Sequence, residues 1–172
     1  MYTLIRAIMS ITWISLAYKL ADWKNWKMYY PTLLFYGMGD LIYNVVFKDK
    51  PLWRFEVDYL VPSINGLFIY FAIFVPIILL YLSKFPKQFI YQVAYILLWI
   101  GIFTAIELFT TSIGMQKNYN NWNIWWSVLH NIIIFPMIIL HHKKHYVLSW
   151  STALIFLVFI MNIFKVPIFL SK

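Results

Sequence analysis

Long apolar runs separated by short polar connections dominate the chain. Six runs stand out, at about 2–20, 32–47, 60–82, 88–109, 123–140 and 146–164. Their apolar residues are continuous rather than alternating, which predicts α-helices and not the two-residue period of a β-barrel. Most approach the ~20 residues a helix needs to cross the hydrocarbon core of a bilayer. The second run is the shortest, carries Asp40, and has Pro31 placed to open its first turn. Pro76 and Pro136 fall inside the third and fifth runs, where membrane helices tolerate proline, and Pro76 predicts a kink. The first run is followed by Lys19, Lys24 and Lys27 and by no small-residue cleavage site, so it reads as a retained span rather than a signal peptide. The expectation is an all-α, single-domain integral membrane bundle of six transmembrane helices, with no internal repeat.

Composition agrees. Of the 172 residues, 63% are hydrophobic and 12% are charged, about half the charged share of a soluble domain. Mean hydropathy is +0.73. A soluble chain of this length has too little interior for so much apolar surface. The net charge of +8 comes mainly from lysines in the connections. That is the signature of membrane topology and of contacts with anionic lipid headgroups, and no nucleic-acid-binding motif accompanies it. The absence of cysteine excludes disulfides, thiol catalysis and Cys-ligated metals. Three lysines after the first run against Arg6 before it favour an extracytoplasmic N-terminus, although the basic residues divide seven and seven between the two faces.

With six spans, the start of the first, the second-to-third and fourth-to-fifth connections and the C-terminus share one face, here called the N-face. Asp40 and His130 each lie seven residues from the N-face end of their run, roughly 10 Å deep at helical rise. Asn44, Asn65, Glu107, Asn123, Ser127, Asn131 and Asn162 fall in the same half. An ionisable group facing lipid costs several kcal/mol, so Asp40 is expected to face the bundle interior. Glu107, near the boundary, can instead reach water. Asp40 and Asn44 are four apart and share a helical face, as do Asn123, Ser127 and Asn131, with His130 beside them. The economical arrangement gathers Asp40, Asn44, Glu107, Ser127, His130 and Asn131 around one polar pocket; the alternative is a polar network that only joins helices.

Three further features are weighed. The stretch 48–58 contains Arg54, Glu56 and Asp58 with Trp53 and Phe55 between charges. It reads as a solvated loop, an interfacial amphipathic piece, or a cap in which Arg54 pairs with Glu56, Asp58 or a substrate anion. The run His141-His142-Lys143-Lys144-His145 lacks the zincin glutamate and reads as a basic loop at lipid headgroups rather than a metal site. Trp23, Trp26, Trp53, Trp122, Trp125 and Trp126 sit near run ends, as an aromatic belt would.

Two stretches carry a resemblance. They are DWKNWKMYYPTLLFYGMGDLIYN (22–44) and NNWNIWWSVLHNIIIFPMIILHHKK (120–144). Through Asp22, Trp23, Trp26, Gly39, Asp40, Asn121, Asn123 and Trp126 the chain resembles a family of small, uncharacterised multi-spanning membrane proteins from endospore-forming bacteria. The resemblance implies a bacterial plasma-membrane location and this architecture, and no activity.

Three classes of function stay open from sequence. One is small-solute or cation binding or transport, with Asp40 as the linked carboxylate and His130 as a titrating partner. Another is a membrane enzyme acting on a lipid or isoprenoid, with Asp40 and His130 as acid and base or as metal ligands and Arg54 on a phosphate. The last is a structural or assembly subunit. No cofactor or metal is assigned.

Overall fold

The computed structural model describes residues 2–56 and 61–166; Asp58 lies outside the described residues. Helix α1 is Tyr2–Leu20, and a 3-10 turn at Trp23–Asn25 leads into α2, Trp26–Val46. Helices α3 (Pro62–Ile69) and α4 (Val75–Ser83) are joined by a π turn, Tyr70–Phe74. Helices α5 (Phe89–Ser112), α6 (Ile124–His142) and α7 (Tyr146–Ile163) complete the set. Helical segments thus stand at all six expected places. Four stretches are each long and apolar enough to cross a membrane: Ile64–Ser83, Phe89–Ser112, Ile124–His142 and Tyr146–Ile163. A fifth is α1 taken together with the 3-10 turn and α2, which meet at a bend of 90°. The protein is a helical, multi-pass membrane protein by this measure, with four to five candidate spans.

Two local expectations are corrected. Helix α2 begins at Trp26, so Pro31 sits inside it rather than in its first turn. At Pro76 the chain does not simply break. The π turn ends one residue before Val75-Pro76, and Pro76 occupies the first turn of α4. A wider turn there accommodates a residue that has no N–H to donate and whose ring crowds the preceding turn.

The core centres on α4, in which every residue from Pro76 to Leu82 is buried. Helices α1 and α2 pack on α4, α2 also packs on α6, and α6 packs on both α5 and α7. Tyr81 is fully buried; its hydroxyl donates to Phe135 O (3.1 Å), and its carbonyl accepts from Tyr95 Oη (3.2 Å). Ala17 is also fully buried, the small side chain allowing α1 its close approach. Gly37 has a specific reason: a Cβ there would come within 2.7 Å of the Tyr70 ring, whose hydroxyl donates to Leu33 O. By contrast α5 and α7 are each only 11% buried over their apolar windows. In lipid that exposure carries no hydrophobic penalty.

The structure adds an element absent from an all-helical expectation. The connections 47–56 and 113–123 form a two-stranded antiparallel sheet, β1 (Trp53–Phe55) with β2 (Gln116–Asn118). Glu56 N donates to Met115 O (2.8 Å) and Tyr119 N to Leu52 O (2.8 Å), extending the pairing at both ends. Beside a bilayer, backbone groups need protein partners, and the sheet supplies them. The four segments assigned to the N-face do converge. Arg6 Nη2 donates to Glu56 O (2.7 Å), Lys50 Nζ donates to Lys165 O (3.2 Å), and Val166 packs in one cluster with Phe47, Leu52 and Trp122.

Candidate functional site

The strand period decides what the cap presents inward. Trp53 pairs with Asn118, Arg54 with Lys117, and Phe55 with Gln116. Alternate residues point to opposite faces. Trp53, Phe55 and Gln116 accordingly line an interior cavity, while Arg54 and Lys117 are exposed. Arg54 Nη2 donates to Lys48 O (2.7 Å). Glu56 pairs with Lys117 (3.4 Å) and accepts from Tyr119 Oη (3.2 Å). Of the readings open for Arg54, Glu56 and Asp58, the first two residues follow the solvated one: neither lines the cavity, because the alternation along β1 and into Glu56 turns them to the outside. It is the aromatic residues between the charges that form the cap.

Beneath the cap lies a cavity of about 280 Å³ whose walls come from every helix, α3 contributing only Ile69, together with the π turn. Of the six residues expected to share a pocket, five line it: Asp40, Glu107, Ser127, His130 and Asn131. Asn44 does not. It is exposed, and its Nδ2 reaches back to Asp40 O (2.8 Å) and Asp40 Oδ2 (3.3 Å) along the same helix face. Among the other polar residues placed in this half, Asn123 caps α6 by accepting from Trp125 N (3.0 Å), and Asn162 is exposed and bonds its own helix at Val158 O (2.9 Å).

The five fall into two groups. Glu107 is held by protein: Ser127 Oγ donates to Glu107 Oε1 (2.6 Å), and Trp122 Nε1 donates to Ser127 Oγ (2.8 Å). This chain ties α5, the 113–123 connection and α6 together. It also removes Glu107 from the simple role of a boundary residue reaching water. The second group is not so held. His130 lies 5.5 Å from the Trp53 ring and 5.8 Å from the Phe156 ring, centroid to centroid. Neither of its ring nitrogens makes a hydrogen bond to a described residue, and neither does the Asn131 amide. Asp40 has only the long Asn44 bond on its carboxylate, and no cation among the described residues pairs with it.

Contacts between α2 and α6 place these groups at similar depth. Tyr29 stacks on His142 (5.1 Å) and Thr32 Oγ1 lies 3.0 Å from His141 Nδ1 at one end. At the other end Tyr43 stacks on Trp53 (4.1 Å), which abuts His130. The two helices are therefore antiparallel. With Thr32 opposite His141, Asp40 falls opposite Ile133. That is three residues from His130, about 4.5 Å along the axis.

Sequence reasoning missed several wall residues. Arg6 is 3% exposed and lines the cavity beside the cap. Its signal was available, as an arginine one turn into an apolar helix. Trp122, 5% exposed, and Trp53 are cap and wall rather than belt, with their rings 4.8 Å apart. Trp125, at 77% exposed, fits the belt. His141 is corrected as well. It is buried, stacked on Phe35 (4.2 Å) and paired with Thr32, so it joins helices rather than meeting headgroups. Among the described residues, no three His, Asp or Glu side chains converge as metal ligands would.

No family profile, curated protein or solved structure matches this chain.

Proposed function

We propose that the protein is a six-span bacterial plasma-membrane protein that binds a small solute in the capped cavity and passes it across the membrane. One observation carries this reading. Asp40, His130 and Asn131 line a common cavity, and among the described residues their side chains have no hydrogen-bond partner beyond the long Asn44 bond to Asp40. A polar network serving only to join helices would satisfy its own members, as Ser127, Trp122 and Glu107 do. The cavity is close to the lower end of the ~300–1,000 Å³ usual for small-molecule sites.

Supporting the six-span count, α1 and α2 are 19 and 21 residues long, each near the length of a span. Arg6 meets the N-face connection while Trp23 Nε1 closes the other end on Ala17 O (2.7 Å), and α2 returns from His141 to Trp53. The motifs around Asp22–Asn44 and Asn120–Lys144 support membership of the family from endospore-forming bacteria, and the lysines after α1 support an extracytoplasmic N-face.

The test is a thermal-shift screen of small solutes on the full chain in nanodiscs, followed by counterflow in proteoliposomes. A solute that raises the melting temperature in the parent, but not in His130→Phe or Asn131→Leu, is the expected result. A hit unaffected by both variants would place binding elsewhere and reject the reading. Because the chain has no cysteine, single cysteines at Asn120 and Lys144 report orientation by impermeant labelling of cells. Labelling at Lys144 alone would reverse the assignment.

A further inference from the structure

The chemistry of the walls narrows the class of solute, and this narrowing rests on the proposal that the cavity binds one. The charged side chains lining the cavity are Asp40, Glu107 and Arg6, so the acids outnumber the base. They are not equally available. Glu107 is engaged by Ser127, and the Arg6 guanidinium is directed to the carbonyl of Glu56. Asp40 has only the long Asn44 bond, and neither carboxylate has a cation among the described residues. The same cavity wall carries further acceptor atoms that have no donor among the described residues, the Asn131 side-chain carbonyl and one imidazole nitrogen of His130. Such a set suits a positively charged donor with more than one N–H. An anion would meet the Asp40 carboxylate, and the guanidinium nearest the cap is already directed to a backbone carbonyl.

A bare metal ion fits less well, since no three metal-binding side chains converge among the described residues. Most of the wall is apolar, from Phe35 and Trp150 at one level to Trp53 nearer the cap. An apolar cavity of about 150 Å³ accommodates a benzene ring, and this one is about 280 Å³. There is room for one ring and a short aminoalkyl arm.

We infer that the cavity takes a small organic ammonium ion with an apolar or aromatic body, its ammonium group between Asp40, Asn131 and His130 and its body along Phe35, Trp150 and Trp53. The ammonium N–H groups donate to the Asp40 carboxylate, the Asn131 carbonyl and the unprotonated His130 nitrogen. The positive charge replaces the missing counter-ion of Asp40, and the body is removed from water.

The experiment uses the full chain in nanodiscs at pH 7 and three probes of matched shape: 2-phenylethylamine, which is protonated, 2-phenylethanol, and 3-phenylpropionate. Binding is read by calorimetry. The amine is expected to bind at least about 10-fold more tightly than the alcohol, the size of one charge-assisted hydrogen bond, with the carboxylate weakest. Asp40→Asn should abolish the preference for amine over alcohol while leaving the alcohol's own affinity. Asn131→Leu should weaken the amine by about 10-fold, and it serves as a second variant should Asp40→Asn fail to fold. Equal binding of amine and alcohol, tighter binding of the carboxylate, or an amine preference that survives both variants would overturn the assignment. If the alcohol or carboxylate binds best and is lost in His130→Phe, the cavity remains a binding site for another class. If none of the three probes binds, both the ammonium assignment and the cavity-binding reading fall.

Discussion

Of the three histidines on helix α6, two stand in opposite situations. His141, near its C-terminal end, is 5% exposed, pairs through Nδ1 with Thr32, and lies against Phe35. His130, three turns earlier, lies beside the Trp53 and Phe156 rings and keeps both nitrogens free of described partners while facing the cavity. The chemical group is the same in the two places. What differs is whether the opposing helix supplies a partner of the right reach. Thr32 does so at one end of α2, whereas near His130 the facing wall is Trp53 from the cap. A polar residue inside a membrane bundle is therefore not in itself a sign of function. The sign is a polar residue whose surroundings leave its hydrogen bonds open toward a space large enough to hold something.

This contrast can be broken most forcefully at His141. His141→Ala removes a buried ring contact and strands the Thr32 hydroxyl, so it should destabilise the protein by about 2–4 kcal/mol, measured by denaturant unfolding in mixed micelles. Replacing both partners together, Thr32→Val with His141→Phe, should restore most of that loss. An unaltered midpoint in His141→Ala would mean that the far end is not held there.

Ser127 gives a middle case, since it faces the cavity yet is fully used by protein. Ser127→Ala leaves Trp122 Nε1 and one Glu107 oxygen without their partner, for an expected cost of about 1–3 kcal/mol. A loss of solute binding without a loss of stability would move Ser127 into the site proper.

The smallest effect on stability is expected at His130. His130→Phe keeps the ring volume and removes no protein hydrogen bond, so unfolding should change by less than about 1 kcal/mol, while the solute-dependent thermal shift disappears. A destabilisation as large as that of His141→Ala would erase the distinction between the two histidines.

Much of this arrangement was legible in the linear pattern. Continuous apolar runs locate the helices within a few residues except at the start of α2, six residues earlier than expected, and the proposed six-span count would place the start of α1, the connections around Trp53 and Gln116 and the end of α7 on one face. Helical periodicity with equal offsets from the run ends was enough to bring Asp40 and His130 to one depth. These are properties of local geometry: rise per residue, side-chain spacing, and the cost of exposing charge to lipid.

Only the tertiary structure decided the rest. It turned Asn44 outward and Glu107 into a satisfied tie. It paired the short connections into a sheet, so that Trp53 and Phe55 face in and Arg54 faces out. It separated His141 from the basic run in which it sits, and it set Tyr70 against Gly37. Each of these depends on which residue stands opposite, across distances in sequence of up to 109 positions. No local period carries that information, because hydrogen-bond satisfaction belongs to pairs of residues and not to single positions.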